Sequence, residues 1–337
     1  MLVVRDVRPH DLDDLLAVAR HLDSVNLPAE RALLAALIER SGRSFAGRLP
    51  VAAREYVFVL CDTEAGGRVV GTSMIHAQHG TPEAPHVWFE VGSEERCSTA
   101  LGRRLSHQVL RIGYTFDGPT ELGGLILLPE YRGGGRRAGK LLSYVRFLYI
   151  GAHRDAFRDQ LLAELLPPFE ADGTSLLWEH LGRRFTGLAY AEADRRSRDD
   201  KEFIRTLFPE GPIYACLLPP DAQAVIGQVG PATRGVEHML LEAGFRHAGR
   251  IDPFDGGPHL MARTDDVAPV RRLRQARLEA GDVGDAAWAV VARRDGDGLV
   301  AAAAPCRTEG EGAWVPAAVL AALGADGGRP AWVLPMA

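Results

Sequence analysis

Residues 125–142 read Leu-Ile-Leu-Leu-Pro-Glu-Tyr-Arg-Gly-Gly-Gly-Arg-Arg-Ala-Gly-Lys-Leu-Leu. An apolar run of strand length stops at Pro129, three glycines make a turn, and Leu141, Leu142, Val145 and Leu148 then recur at helical spacing. A strand that passes through such a turn into a helix leaves the first helical N–H groups without intrahelical partners, and the helix dipole adds positive charge there. The junction suits a pyrophosphate: glycine lets the backbone come close, and Arg132, Arg136 or Arg137 can add charge-assisted bonds. Two nucleotide readings fit poorly. Gly134, Gly139 and Lys140 keep the spacing of a P-loop, but Leu141 stands where a hydroxyl must hold Mg²⁺. A dinucleotide fingerprint requires Ala138 in place of its last glycine and lies far into the chain, after segments that are not βα units. The plain alternative is a surface turn with solvated arginines.

Working outward, the spacing predicts a short strand at Val3 and Val4, then a helix with Leu12, Leu15, Leu16, Val18 and Leu22 on one face. A helix over 29–40 and strands over 55–61 and 68–75 follow, and 76–120 is ambiguous because it is polar. A strand over 121–128 precedes the glycine turn, and a helix over 140–150 follows it. The stretch 152–208 reads as a helical insert, with helices over 157–166, 176–185 and 200–207. A strand is expected over 213–218, then helices over 219–226 and 233–243, the last stopped by Gly244. Beyond Asp265, alternating apolar segments and Gly- and Asp-rich turns suggest a β-rich appendage, giving domains 1–265 (two lobes are compatible with it) and 266–337.

The chain has 337 residues, 46% hydrophobic and 25% charged, which describes a globular protein. With a net charge of −5 there is no basic field for nucleic acid or an anionic membrane. Cys61, Cys97, Cys216 and Cys306 form no C-x-x-C pair, so neither a metal site nor a disulfide framework is expected. An acidic N-terminal stretch, scattered thiols and no long apolar run point to a cytoplasmic protein.

The order Pro-Glu-Tyr-Arg, glycine, a small-residue pair and Leu-Leu resembles the acyl-CoA motif of the GNAT N-acyltransferase superfamily. Further segments narrow the resemblance: YVFVL (56–60), WEHLGRRF (178–185), KEFI (201–204), AVIGQV (224–229), LEAGFR (241–246) and DPFDGGP (252–258). Together they are similar to the arginine N-succinyltransferase family over roughly residues 1–265. The resemblance implies an α/β fold, a mixed and largely antiparallel sheet flanked by helices. It also implies succinyl transfer from succinyl-CoA to the α-amino group of L-arginine, in arginine catabolism. No permanently bound cofactor is implied. Succinyl-CoA or another acyl-CoA is the co-substrate, an amino acid such as arginine or ornithine the acceptor, and a homo- or hetero-oligomer the assembly. The family's succinyl-CoA contact falls on Leu125; Leu127, Arg132, Gly133, Gly134, Gly135 and Gly139 of the strand end and turn are the further expected acyl-CoA contacts, and no metal ligand is expected.

Two departures stand out. The family's proton-donating histidine, after V-I-G-Q-V, is Gly230 here, and a glycine transfers no proton. His238 and Tyr214 are the nearby substitutes, set against their readings as a helix-surface histidine and a packed strand residue. The glycine turn is also longer than the family's, with Arg137 where glycine or alanine is usual. Glu164 matches a family A-E-M-R-G segment whose arginine and glycine are Leu166 and Pro167 here. Asp252 and Asp255 face a guanidinium or cap a turn. His76, His79 and His86 show no ligand-like spacing and are expected at the surface. The alternatives are a non-catalytic acyl-CoA-binding subunit or sensor, and an N-acyltransferase with another donor and amine acceptor.

Overall fold

A computed structural model describes all residues except 22–26, 134, 136, 199, 326 and 337. Leu22, Gly134 and Arg136, singled out above, lie outside the described residues. In chain order the first strands are β1 (Leu2–Asp6), β2 (Glu55–Asp62), β3 (Arg68–His76), β4 (His86–Ser98), β5 (Arg103–Thr115), β6 (Thr120–Leu127), β7 (Gln160–Glu164) and β8 (Ile213–Tyr214). The later ones are β9 (Arg246–Ile251), β10 (Pro258–Arg263), β11 (Arg274–Ala280), β12 (Trp288–Asp295), β13 (Gly298–Pro305), β14 (Arg307–Glu309), β15 (Gly312–Val315) and β16 (Arg329–Pro335). The helices used below are α1 (Leu12–Ala19), α2 (Arg31–Phe45), α3 (Ala138–Ala152), α4 (Arg183–Thr186), α5 (Tyr190–Ser197), α6 (Glu202–Leu207), α7 (Pro220–Val225) and α8 (Arg234–Ala243). The chain divides into two units: 1–78, 120–159 and 263–337 form one, and 79–119 and 160–262 the other.

In the first unit the strand order is β14-β15-β11-β16-β12-β13-β1-β2-β3-β6, antiparallel except for the parallel pair β11–β15. The sheet is mixed, as the resemblance implies. The C-terminal β-rich region is present, but not as an appendage: β13 pairs with β1, Val3 opposite Ala302, so residues 266–337 extend the same sheet. Phe45 of α2, Tyr56, Phe58 and Tyr149 of α3 pack edge to face or tilted, with ring centroids 5.0–5.5 Å apart. Ser73 Oγ donates to Leu142 O at 2.8 Å, tying α3 to β3.

At the end of β3, His76 lies opposite Glu55, with Nδ1 3.6 Å from Glu55 Oε1. Burial opposes a charge on His76, yet the nearby carboxylates of Glu55 and Glu121 raise it to about 9. The folded chain thus favours the protonated ring. The resulting stability is complete below about pH 6.5, the unfolded value, and is lost as pH rises through 9. Urea unfolding at pH 6 and pH 9.5 should show a loss on the order of 3 kcal/mol. His76→Gln should flatten that difference; an unchanged slope would remove His76 as its source.

In the second unit the order is β7-β10-β9-β4-β5-β8. The ambiguous polar stretch is the long β4–β5 hairpin, in register from His86 opposite Thr115 to Ser98 opposite Arg103. Its outer half is exposed on both faces, so apolar alternation fades there. Cross-strand groups hold it instead: Arg111 to Glu94, Arg104 to Glu95, and Ser93 Oγ to Ser106 Oγ at 2.7 Å. The helix expected over 157–166 is replaced by strand β7, because Leu161, Leu162 and Ala163 are buried in succession, a pattern short strands and buried helices share. The expected strand over 213–218 reduces to β8, and a 3₁₀ turn over Ala215–Leu217 takes the rest. The helix expected over 176–185 includes a π-helical turn at Trp178–Gly182 before α4. Trp178 stacks on Phe254 at 4.9 Å in the core beside Phe89, Leu177 and Phe208.

Candidate functional site

The quoted stretch folds largely as its residues dictate. Between Thr72 opposite Ile126 and Met74 opposite Gly123, one residue of β3 faces Gly124 and Leu125 of β6, a β-bulge. Gly124 takes φ +56° there, and a Cβ would meet Met74 Cγ and Sδ at 2.7 Å, so only glycine is accommodated. Leu125 sits half-buried on the bulge, and Leu127 is buried against the sheet. Leu127 could therefore meet a ligand only through its backbone.

After Pro129 the chain makes a 3₁₀ turn to Tyr131, whose hydroxyl donates to Asp62 Oδ2 at 3.0 Å. Arg132 Nε donates to Leu127 O at 2.8 Å, bracing the strand end. Gly133 and Gly135 are exposed, each with φ +75°. Arg137 is the N-cap of α3 in the left-handed region (φ 54°); its side chain caps nothing and lies 5.0 Å over the Trp288 ring. The N-cap side chain thus makes no bond to the start of α3, which suits an incoming anion. A Cβ on Gly139 would meet nothing within 4 Å.

Beneath the bulge lies a group that no motif marks. Arg146 of α3 is 2% exposed, with Nη1 3.4 Å from Gly123 O and Nη2 2.8 Å from Ser143 Oγ. No carboxylate pairs with it among the described residues, and burial alone lowers its pKa to about 10. Among those residues it is a buried cation lacking a counter-ion.

The residues named for proton transfer fare differently. Gly230 N–H donates to Leu166 O at 2.8 Å, and a Cβ there would meet Pro167 O at 2.5 Å. The backbone at 166–167 thus fills the space where a side chain would start. His238 is exposed on α8, 3.3 Å from Glu242 one turn on. The Tyr214 hydroxyl donates to Glu94 Oε2 at 2.6 Å and accepts from Arg96 at the same distance, so it pins β8 to the hairpin. Neither is placed as a proton donor. Asp252 Oδ1 accepts from Phe254 and Asp255 N–H at 2.7 and 3.1 Å, and Asp255 Oδ1 from Gly257 N–H at 2.7 Å. Both aspartates cap the turn between β9 and β10.

A cluster in the second unit escaped the sequence reading. His86 opens β4, Glu164 ends β7, His259 lies on β10, and His79 is held at the hairpin base by its N–H to Pro119 O at 2.8 Å. Glu164 Oε1 is 3.4 Å from His86 Nε2 and 3.3 Å from His259 Nε2. The expectation that His79 and His86 lie on the surface is overturned: His86 is 1% exposed, and its ring meets that of His79 edge-on at 4.5 Å. His76, too, is mostly buried, with its side chain 17% exposed. Burial would raise Glu164, but His259, His86 and His79 hold it well below the usual carboxylate range. Burial and then the Glu164 charge push Asp252 up to about 7, and burial and His79 press His86 down to about 4. Four separate segments supply these residues, so linear spacing carries no trace of them.

The mixed sheet, the bulged strand and the glycine turn opening an uncapped helix define an α/β fold of the N-acyltransferase class. Residues 2–269 match the family described as arginine N-succinyltransferase beta subunit. The arginine N-succinyltransferase of Yersinia enterocolitica serotype O:8 / biotype 1B is 38% identical over 286 residues, 84% of this chain and 82% of that protein. That of Escherichia coli O17:K52:H18 is 36% identical over 284 residues, 83% and 81% of the two chains. The solved structure of arginine/ornithine succinyltransferase subunit AI from Pseudomonas aeruginosa matches with a TM-score of 0.85 at 27% identity, covering 99% of this chain and 98% of that one. This chain belongs to the arginine N-succinyltransferase family.

Proposed function

We propose that the chain transfers the succinyl group of succinyl-CoA to the α-amino group of L-arginine and releases CoA. The observation that carries this reading, within a family of that activity, is the bulged β6 running through the glycine turn into the uncapped α3. Succinyl-CoA enters as a co-substrate: its pyrophosphate lies on the turn at Gly133, Gly134, Gly135 and Gly139 with Arg132 nearby, and its thioester at Leu125. The distal carboxylate of the succinyl group pairs with Arg146, which uses three of its five N–H donors within the protein. The amine nitrogen attacks the thioester carbon, the C–S bond breaks, and the nitrogen gives up a proton as the sulfur gains one. Gly230 takes no part in that exchange. Loss of one positioned general acid removes a factor of roughly 10² to 10⁴, leaving the rate to positioning and electrostatics. We place the protein in the cytoplasm, where both substrates occur.

Thiol release from succinyl-CoA by the purified chain tests the proposal. Release that needs arginine supports it. Saturable CoA binding without turnover would favour the non-catalytic subunit that Gly230 suggests. Gly139→Glu supplies a sharper check, since a side chain fits there but its charge opposes the phosphates. KM for succinyl-CoA should rise about 10-fold or more with kcat little changed. An unaltered KM would remove the pyrophosphate from this turn.

A further inference from the structure

We propose that His79, His86 and Glu164 bind one divalent transition-metal ion of the zinc type, with His259 and Asp252 bordering the site. One ligand atom from each of the three lies within 4.8 Å of the other two, and Glu164, Asp252 and His259 form a second such triplet sharing the same carboxylate. Four-coordinate zinc holds nitrogen and oxygen donors at about 2.0–2.2 Å, so the first triplet needs to close by an ångström or so. The His79 rotamer can supply that movement, because its side chain is only half-buried.

The donor set selects the ion. Two imidazoles and a carboxylate suit zinc, cobalt or ferrous iron, whereas magnesium and calcium seek oxygen donors throughout. The surroundings also resemble a built site more than a packed core. His86 is 1% exposed, and among the described residues its Nδ1 has no hydrogen-bond partner while its Nε2 meets only Glu164 Oε1, at 3.4 Å and poorly aligned. Burying an imidazole in that state is costly, and a metal ligand bond removes the cost. The ring is nonetheless fixed in orientation by Trp88 at 5.0 Å and by stacking on His259 at 5.5 Å. His259 Nε2, 3.3 Å from Glu164 Oε1, orients the carboxylate as an outer-sphere partner does. Glu164 keeps 25% of its side chain exposed, which leaves an entry path. The donors all belong to the second unit, so the inference stands apart from the acyl-CoA turn and from the succinyl-transfer reading.

The test uses the untagged full chain, stripped with a chelator and titrated with Co²⁺ and Zn²⁺ by calorimetry and visible absorption. One equivalent should bind, and Co²⁺ should give the d–d absorption of a low-coordinate nitrogen/oxygen site. His86→Gln and Glu164→Gln should each weaken binding by more than about 100-fold, beyond what an outer-sphere partner is worth. His79→Gln, at a half-buried position that tolerates change, should do the same with unaltered circular dichroism, which keeps the test sound if the buried variants misfold. His238→Gln, on the exposed face of α8, should bind as the unaltered chain does. Absence of saturable binding, or affinity unchanged in His79→Gln, overturns the proposal.

Discussion

Replacing Arg146 by methionine is expected to lower kcat/KM for succinyl-CoA by about 10- to 100-fold and to leave that for acetyl-CoA within about threefold. Hydrogen bonds to a charged partner in a dry site are worth about 1.5–3 kcal/mol, and acetyl-CoA has no carboxylate with which to form them. The fold should tolerate the change. Arg146 lies buried without a carboxylate partner among the described residues, and substituting a buried ion by an apolar side chain of similar length is often neutral or stabilising. Lysine at 146 should keep part of the selectivity, because the charge persists while the planar fork is lost. Equal losses with both donors, at an unchanged melting temperature, would show that Arg146 supports β6 without reading the acyl chain.

Installing the family's histidine by Gly230→His is expected to destabilise the chain and not to speed it. A Cβ at 230 meets Pro167 O at 2.5 Å, Pro167 C at 2.9 Å and Leu166 O at 3.0 Å, all backbone atoms. Overpacking against backbone costs about 1–3 kcal/mol, which lowers the melting temperature by several degrees in a chain of this size. Gly230→Ala should lose nearly as much, since the clash begins at Cβ. Adding Pro167→Gly to Gly230→His should recover part of the loss by freeing the obstructing carbonyl. A stable Gly230→His enzyme with turnover raised about 100-fold would instead mean that this chain lacks only the imidazole. The mismatch at 166–167 and the glycine at 230 thus meet in the fold: the N–H of Gly230 bonds to the carbonyl of Leu166.

Segments with a single periodicity were read well. Strands β2 and β3, helix α3 and the stop of α8 at Gly244, in the left-handed region at φ 111°, follow from apolar spacing and glycine chemistry. Strand β7 was misread because a run of buried aliphatic residues has no period to distinguish strand from helix. The β4–β5 hairpin escaped because charge pairs across the strands, not an apolar face, hold its outer half. The strand, turn and helix that carry Leu125, Gly133 and Gly135 were legible because one continuous segment supplies them. The histidines were not, since burial of His86 depends on Trp88, His259 and β7, which only tertiary structure brings together. Arg146 was hidden for a related reason: a lone arginine in a helical pattern reads as solvent-facing until its counter-ion is found missing.

The division of the chain has a consequence for how it is made. The polypeptide passes between the units at 78/79, 119/120, 159/160 and 262/263, so neither unit corresponds to one continuous stretch. Strand β1 waits for β13, with Val3 opposite Ala302, and β11 pairs with the last strand, β16. During synthesis β1 can pair with β2 as soon as both have emerged, but its other edge stays open until β13 has left the ribosome. Pairings that distant in sequence make for slow folding and a long-lived unpaired edge at β1.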